Sequence, residues 1–243
     1  MSLGAIAARE RFFPSLIGFF VNPNFLVRRK LAQAIARHSG KFHGRVLDFG
    51  CGSKPYRRLF EHAESYVGVD IEQSGHDHAS SDIDIFYDGT TLPFGDASFN
   101  AAVSFETFEH VPDIDRMLGE LARVITPGGL LLVSTPFAFP EHEAPFDFRR
   151  LTRFGWARLI EVHGFEAVDV RTTGGYVLTL VQLWQTYVKS LARGSRAATT
   201  IFNLVVGVPA LAIGFLADAV LPRSDRLYLN IVVLARRTGS KIP

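Results

Sequence analysis

Val46-Leu47-Asp48-Phe49-Gly50-Cys51-Gly52 is the stretch on which the fold turns. Arg45 to Phe49 suit a short buried strand, and the strand runs into a loop with two glycines. Glycines there let a ligand press against the backbone, because no Cβ stands in the way. Tyr66-Val67-Gly68-Val69-Asp70 reads as a second strand, and its terminal acid follows Gly52 by 18 residues. An acid at that place accepts hydrogen bonds from both hydroxyls of a ribose. A third strand, Asp84 to Tyr87, leads into Asp88-Gly89-Thr90-Thr91, where a carboxylate accepts from an exocyclic adenine amine. A nucleoside site built on Gly50, Gly52, Asp70, Asp88 and Gly89 is the expectation.

The loop also excludes cofactors. A dinucleotide fingerprint wants a third glycine at the sixth position from Gly50, where Pro55 stands. The Gly-Lys-Ser/Thr ending of a phosphate loop is missing, which argues against ATP. Acids at three successive strand ends suit a neutral or cationic nucleoside, and a sulfonium fits them well.

Working outward, Asn24 caps a helix with Val27, Leu31, Ile35 and His38 on one face, ended by Gly40. Pro55 marks the start of a helical turn. Asn100 to Ser104 is a fourth strand. Pro112 and Asp113 open a helix with Ile114, Met117, Leu118, Leu121 and Val124 on one face, stopped by Pro127-Gly128-Gly129. Leu130 to Ser134, Phe165 to Arg171 and Leu227 to Ala235 are further strands, with a helix from Thr152 to His163. Strand and helix alternate, which predicts an α/β fold: a Rossmann-like doubly wound sheet, mainly parallel, with helices on both faces.

The 243 residues are 47% hydrophobic and 21% charged, enough for one large domain with an elaboration. A single cysteine excludes a disulfide framework and a cysteine-rich zinc module, and points to a reducing, cytoplasmic setting. Cys51 reads as a packing residue. The net charge of +2 gives no polycation for nucleic acid, but it averages unlike parts. Residues 1–45 carry a net +7, residues 46–180 a net −11 and residues 181–243 a net +6. The basic ends also hold the longest apolar runs, a composition suited to an anionic membrane surface. Phe12 to Val21 is broken by Pro14 and lacks a cleavage site, so it does not read as a signal peptide. Leu204 to Ala217 is apolar over 14 residues, short of the ~20 that span a bilayer. Pro209 and two glycines interrupt it, which predicts a buried or interfacial helical hairpin, or a re-entrant segment. His76 and His78 sit in a polar loop with no third ligand at the usual spacing, so no metal site is expected.

The motifs together resemble a class I S-adenosylmethionine-dependent methyltransferase, of the broad type that includes small-molecule and sugar methyltransferases. They are Leu47 to Gly52, Val69-Asp70, Leu92 to Asn100, Phe108 to Asp113 and Leu121 to Gly129. The resemblance covers residues 44–172 and the last strand. It implies that Gly50 and Gly52 approach the methionyl part of the cofactor and that Asp48 orients the loop or the cofactor amine. Asp70 would hold the ribose and Asp88 the adenine, while Ser104, Phe105 and Glu106 would line the methyl-transfer face. It also implies a seventh strand antiparallel to the sixth. Lys54 stands where many members have a third glycine, and would be placed to pair with the methionine carboxylate.

An alcohol acceptor needs its proton removed, so a histidine or carboxylate near the methyl group is expected. Pro140 to Arg150, after the fifth strand, is dense in titratable groups, and loops after strands lie on the ligand side. His142 is the first choice of base, Glu143 and Asp147 the next, and His110 beside Glu109 a further one. His110 also reads as a helix cap, and Asp147 as an ion-pair partner of Arg149 or Arg150. Similar methyltransferases often carry a His–Pro–Asp–Phe–Arg arrangement here, many of them acting on sugars of surface polysaccharides.

The expected organisation is an N-terminal helical segment over 1–43, a methyltransferase core over 44–172, an apolar helical lid insert over 173–224 and a final strand over 225–243. The insert should cover the acceptor site. With the N-terminal segment it would rest on the inner face of the cytoplasmic membrane, peripherally, or form a homodimer interface. The first functional reading is O-methylation of a sugar or lipid-linked glycan. The others are a methyltransferase for a small apolar acceptor such as a quinone or lipid, and a non-catalytic cofactor-binding scaffold.

Overall fold

Seven strands form a single sheet in the order β3-β2-β1-β4-β5-β7-β6 in the computed structural model, which describes residues 9–72, 81–192 and 195–239. His76 and His78 lie outside the described residues. β1 (Gly44–Phe49) pairs in parallel with β2 (Ala63–Ile71) on one side and β4 (Phe99–Phe105) on the other. β3 (Ile85–Tyr87) extends the parallel ladder beyond β2, and β5 (Ile125–Pro136) beyond β4. β6 (Phe165–Thr172) and β7 (Asn230–Arg237) close the far edge. The Thr173 amide donates to the Asn230 carbonyl at one end, and the Thr238 amide to the Gly164 carbonyl at the other. These two strands therefore run antiparallel, as the family resemblance implied.

The chain leaves β1 towards β2 and β3, then returns to β4 on the other side. That reversal opens a crevice beyond the carboxyl ends of β1 and β4, where ligands of such sheets bind. Central strands are covered on both faces, so Val46, Leu47, Phe49, Val103, Leu131 and Leu132 are all buried.

α1 (Leu16–Val21) is capped by Ser15, and α2 (Phe25–Ser39) buries Val27, Leu31, Ile35 and His38, the face its spacing predicts. α3 (Ile114–Val124) begins where the Asp113 carboxylate accepts from the Arg116 amide, and buries Ile114, Met117, Leu118, Leu121 and Val124. α4 (Arg153–Val162) is capped in the same way by Thr152. Pro55 opens no α-helix: the connection from β1 to β2 holds a three-residue 3-10 turn, Arg57–Leu59. Lys54 has φ 48° just before Pro55, and the buried rings of Tyr56 and Phe60 bring the chain straight back to the sheet.

The chain divides into two compact units, residues 1–34 with 172–230 and residues 35–171 with 231–243. The second holds the strands and motifs above. The first contains α5 (Tyr176–Leu191), α6 (Arg196–Phe202), a π-helical turn (Asn203–Gly207) and α7 (Val208–Val220). Its core is Phe25, Leu26, Val27, Leu178, Leu211 and Leu229, with Phe19, Val181 and Phe215 packed against it. α7 comes close to α5 at Gly214, where a Cβ would stand 2.6 Å from Val181 Cγ2.

The hairpin expected around Pro209 does not form. Ala197–Val220 is one continuous helix of 24 residues, long and apolar enough to cross a membrane by length and composition. Proline lacks an amide hydrogen and crowds the preceding turn. The π-helical turn immediately before α7 absorbs that misfit within the helix.

Candidate active site

The β1 loop is held from both sides. Gly50 has φ 70°, and a Cβ there would lie 2.1 Å from Thr107 Cγ2. Gly52 has φ 48°, but a Cβ there meets nothing within 4 Å, so its face borders open space. The Gly52 amide donates to Asp70 Oδ2 at 2.8 Å, which ties the loop to the end of β2. The open glycine next to a strand-end acid fits the cradle that a nucleoside cofactor needs. Asp88 accepts from the Thr90 and Thr91 amides at 2.8 Å through Oδ1. Those bonds hold its carboxyl at about 2, so it is ionised. Gly89, φ 80°, follows it and lies close to Ile71.

Asp48 is buried beneath the loop and accepts from the Tyr66 hydroxyl at 2.8 Å. Burial pushes its carboxyl up to about 7, against the hydrogen bond from Tyr66. Lys54 does not reach towards a cofactor carboxylate. It is buried, and its Nζ lies 2.7 Å from Asp84 Oδ2. The side chain passes so close to β2 that a Cβ on Gly68 would lie 2.3 Å from Lys54 Cε. Cys51 is buried and packs against the same glycine; burial raises its thiol far above reactivity.

Beyond β4, Ser104 is fully buried, and Glu106 enters the left-handed region at φ 54°. Its carboxylate accepts from Ser134 Oγ at 2.8 Å. Non-glycine residues in that region are strained and gather at functional sites; Glu143, also φ 54°, is another. A 3-10 turn, Phe108–His110, then carries Glu109 and His110. Phe108 anchors it, fully buried between Phe49 and Trp156 at centroid distances of 5.5 Å. His110 is thus part of this turn and not the cap of α3, which is Asp113.

The loop after β5 folds onto this turn. The Phe148 amide donates to the Glu109 carbonyl at 2.8 Å, and His110 Nδ1 lies 2.9 Å from the Phe146 carbonyl. Arg149 clamps the carbonyls of Phe108, Val111 and Pro112. Arg150, not Arg149, grips Asp147, at 2.5 and 2.6 Å through two nitrogens. Burial pushes the Asp147 carboxyl up, but Arg150 and the His142 amide outweigh it and hold it at about 2. Asp147 Oδ2 also lies 3.2 Å from His142 Nδ1. The rings of His142 and His110 meet edge to face at 4.7 Å. Burial lowers His142, so its neutral, proton-accepting form predominates at neutral pH.

His110, His142, Glu143 and Asp147, chosen from two separate segments, therefore share one cluster. Sequence reasoning gave Glu109 no role, although it lies inside that cluster and is buried. Thr107 and Tyr66 orient named site residues and also went unassigned. Each is recognisable only once the strands bring it opposite its partner.

A match to the family described as a methyltransferase domain spans residues 26–170. A probable S-adenosylmethionine-dependent methyltransferase of Mycolicibacterium smegmatis is 30% identical over 173 residues, 66% of this chain and 65% of that protein. A ubiquinone biosynthesis O-methyltransferase of a Bradyrhizobium species is 36% identical over 102 residues, 37% of this chain and 39% of that protein. The chain thus spans under two thirds of the length of these relatives. Among solved structures, a geranyl diphosphate methyltransferase in complex with S-adenosylmethionine has a TM-score of 0.57 and 15% identity. That alignment covers 88% of this chain and 91% of the other. With its strand order, antiparallel last strand and glycine loop, this chain belongs to the methyltransferase domain family and has the class I S-adenosylmethionine-dependent methyltransferase fold.

Proposed function

We propose that the protein transfers a methyl group from S-adenosylmethionine to a hydroxyl of a membrane-borne acceptor. The observation that carries the chemistry is the imidazole of His142 held by the buried Asp147 carboxylate, which Arg150 in turn holds. When bound, the cofactor supplies the methyl group on a positively charged sulfur. Gly50 and Gly52 admit its methionyl part to the loop, Asp70 holds the ribose, and Asp88 with Gly89 receives the adenine. Asp48 and the loop it supports orient the amine. Ser104, Phe105 and Glu106 form the wall after β4 past which the acceptor enters. His142 takes the hydroxyl proton, and Asp147 steadies the imidazolium that results. Alignment of acceptor, methyl and sulfur supplies much of the remaining rate.

The membrane reading rests on the helical unit. Ile201, Leu204, Val205, Ile213, Leu216 and Val220 are exposed along one continuous apolar helix. Exposed Leu16, Ile17 and Phe20 on α1 and Leu180, Trp184 and Tyr187 on α5 add to this in the same unit. Apolar surface of this extent in a chain with basic ends suits a bilayer interface, here the inner face of the cytoplasmic membrane. The acceptor is then a lipid-linked glycan or a hydroxylated lipid-like ring, the second favoured by the ubiquinone-pathway relative. A homodimer through the same helices is the competing use of this surface.

Calorimetry with S-adenosylhomocysteine tests the premise. Wild type should bind at one site, and Asp70→Ala should bind at least tenfold more weakly. No binding by the wild type defeats the reading.

A further inference from the structure

Glu109 is 1% exposed, and neither carboxylate oxygen has a hydrogen-bond partner on another residue. Leaving a buried carboxylate so is costly, and native structures seldom do it without an ion or a proton there. Beside it, His110 Nε2 is buried and makes no hydrogen bond. Carboxylate oxygens of Glu109 and Glu143 each lie 3.7 Å from that nitrogen. The gap is too wide for a hydrogen bond. It is close to the roughly 3.4 Å between two ligands of a tetrahedral cation with bonds of about 2.1 Å. His142 completes the group: one donor atom from each of Glu109, His110 and His142 lies within 4.8 Å of the others.

The tautomers fit as well. The Nδ1 of His110 faces the Phe146 carbonyl, and the Nδ1 of His142 faces Asp147 Oδ2 and, at 3.3 Å, the Pro140 carbonyl. Each of these partners is an acceptor, so each Nδ1 carries the proton and each Nε2 keeps its lone pair. Metal-ligating imidazoles are oriented by this kind of outer hydrogen bond. Arg150 hydrogen-bonds to Asp147 and to the Arg149 carbonyl, and its charge, though near Glu109, supplies that carboxylate with no hydrogen bond.

We propose that Glu109, His110 and His142 bind a first-row divalent transition cation, zinc being the first candidate. One carboxylate and two imidazoles suit zinc and its neighbours better than magnesium or calcium. Three protein ligands leave a position for the acceptor oxygen, whose proton would be lost more easily on the cation and pass to solvent water. In the loaded protein His142 is then a ligand and no longer the base.

The test uses full-length, untagged protein stripped with a chelator and titrated calorimetrically with zinc chloride. The wild type should take up one equivalent with a micromolar or tighter Kd. Glu109→Gln and His142→Asn, checked for folding by circular dichroism, should each bind at least tenfold more weakly. No stoichiometric uptake by the wild type up to millimolar zinc, or unchanged affinity in both folded variants, overturns the proposal. Should the variants fail to fold, cobalt(II) added to the wild type decides. One bound equivalent with tetrahedral d–d absorption supports the site, and the spectrum of the free aqua ion overturns it. The titrations contain neither methyl donor nor acceptor, so their outcome is separate from whether methyl transfer occurs and bears only on whether His142 serves as base or as ligand.

Discussion

Asp147 Oδ2 lies 3.2 Å from His142 Nδ1 and accepts from the His142 backbone amide at 3.0 Å, so one carboxylate fixes both the ring and its loop. Asp147→Asn offers a donor where an acceptor is needed and favours the wrong tautomer. In a turnover assay it should lower kcat about 10²–10⁴-fold with little change in KM. His142→Ala should do the same, and the double variant should be no worse than either alone, since the two act as a unit. Additive losses would separate them.

Gly50 and Gly52 should respond differently to alanine. At Gly50 the new methyl runs into Thr107, and the backbone is left-handed. Gly50→Ala should therefore cost roughly 3 kcal/mol or more of stability in chemical denaturation. At Gly52 the methyl enters open space. Gly52→Ala should cost only about 1 kcal/mol, yet weaken S-adenosylhomocysteine at least tenfold by filling the cradle.

Asp48 should make stability depend on pH. Its folded value of about 7 lies above its ordinary 3.8, so the neutral form is the one the fold favours. The stability it contributes is complete below about pH 4 and is lost as pH rises towards 7. Asp48→Asn removes that loss. Thermal melts should find the variant's advantage over wild type growing between pH 5 and pH 8, reaching about 2–4 kcal/mol. A constant difference across that range would show that Asp48 does not titrate there.

Val205, Ile213, Leu216 and Val220 are each at least two thirds exposed on the long helix. Replacing all four by serine should leave the melting temperature nearly unchanged and reduce flotation with anionic vesicles at least tenfold. If the wild type stays off vesicles and light scattering finds a dimer that the variant lacks, the surface is a subunit interface instead.

The sheet was legible because each strand announces itself locally: Val46 to Phe49 is apolar but for Asp48, Leu130 to Val133 is a continuous apolar run, and each is closed by glycine or a polar residue. α3 was legible because Asp113 caps it and its apolar spacing is regular. Pro209 misled, because a proline's effect depends on whether the preceding turn can adjust, and the π-helical turn before α7 does so. His142 and Asp147 were readable as candidates within one loop, but their pairing came only from the structure. Glu109 was not, because its meaning comes from a buried meeting with His142, 33 residues away. Lys54 was misjudged for the same reason, since Asp84 lies on the far side of β2.

The Lys54–Asp84 pair also bears on what happens after the reaction. Methyl transfer turns a cationic sulfur into a neutral thioether. With Lys54 held by Asp84, the loop presents no lysine to the cradle, and in the proposed binding mode Asp70 and Asp88 are the charged groups that meet the ligand. Under the proposed function, such a surface would hold the neutral spent molecule less firmly than the cationic fresh one, so that each turnover would clear the way for the next.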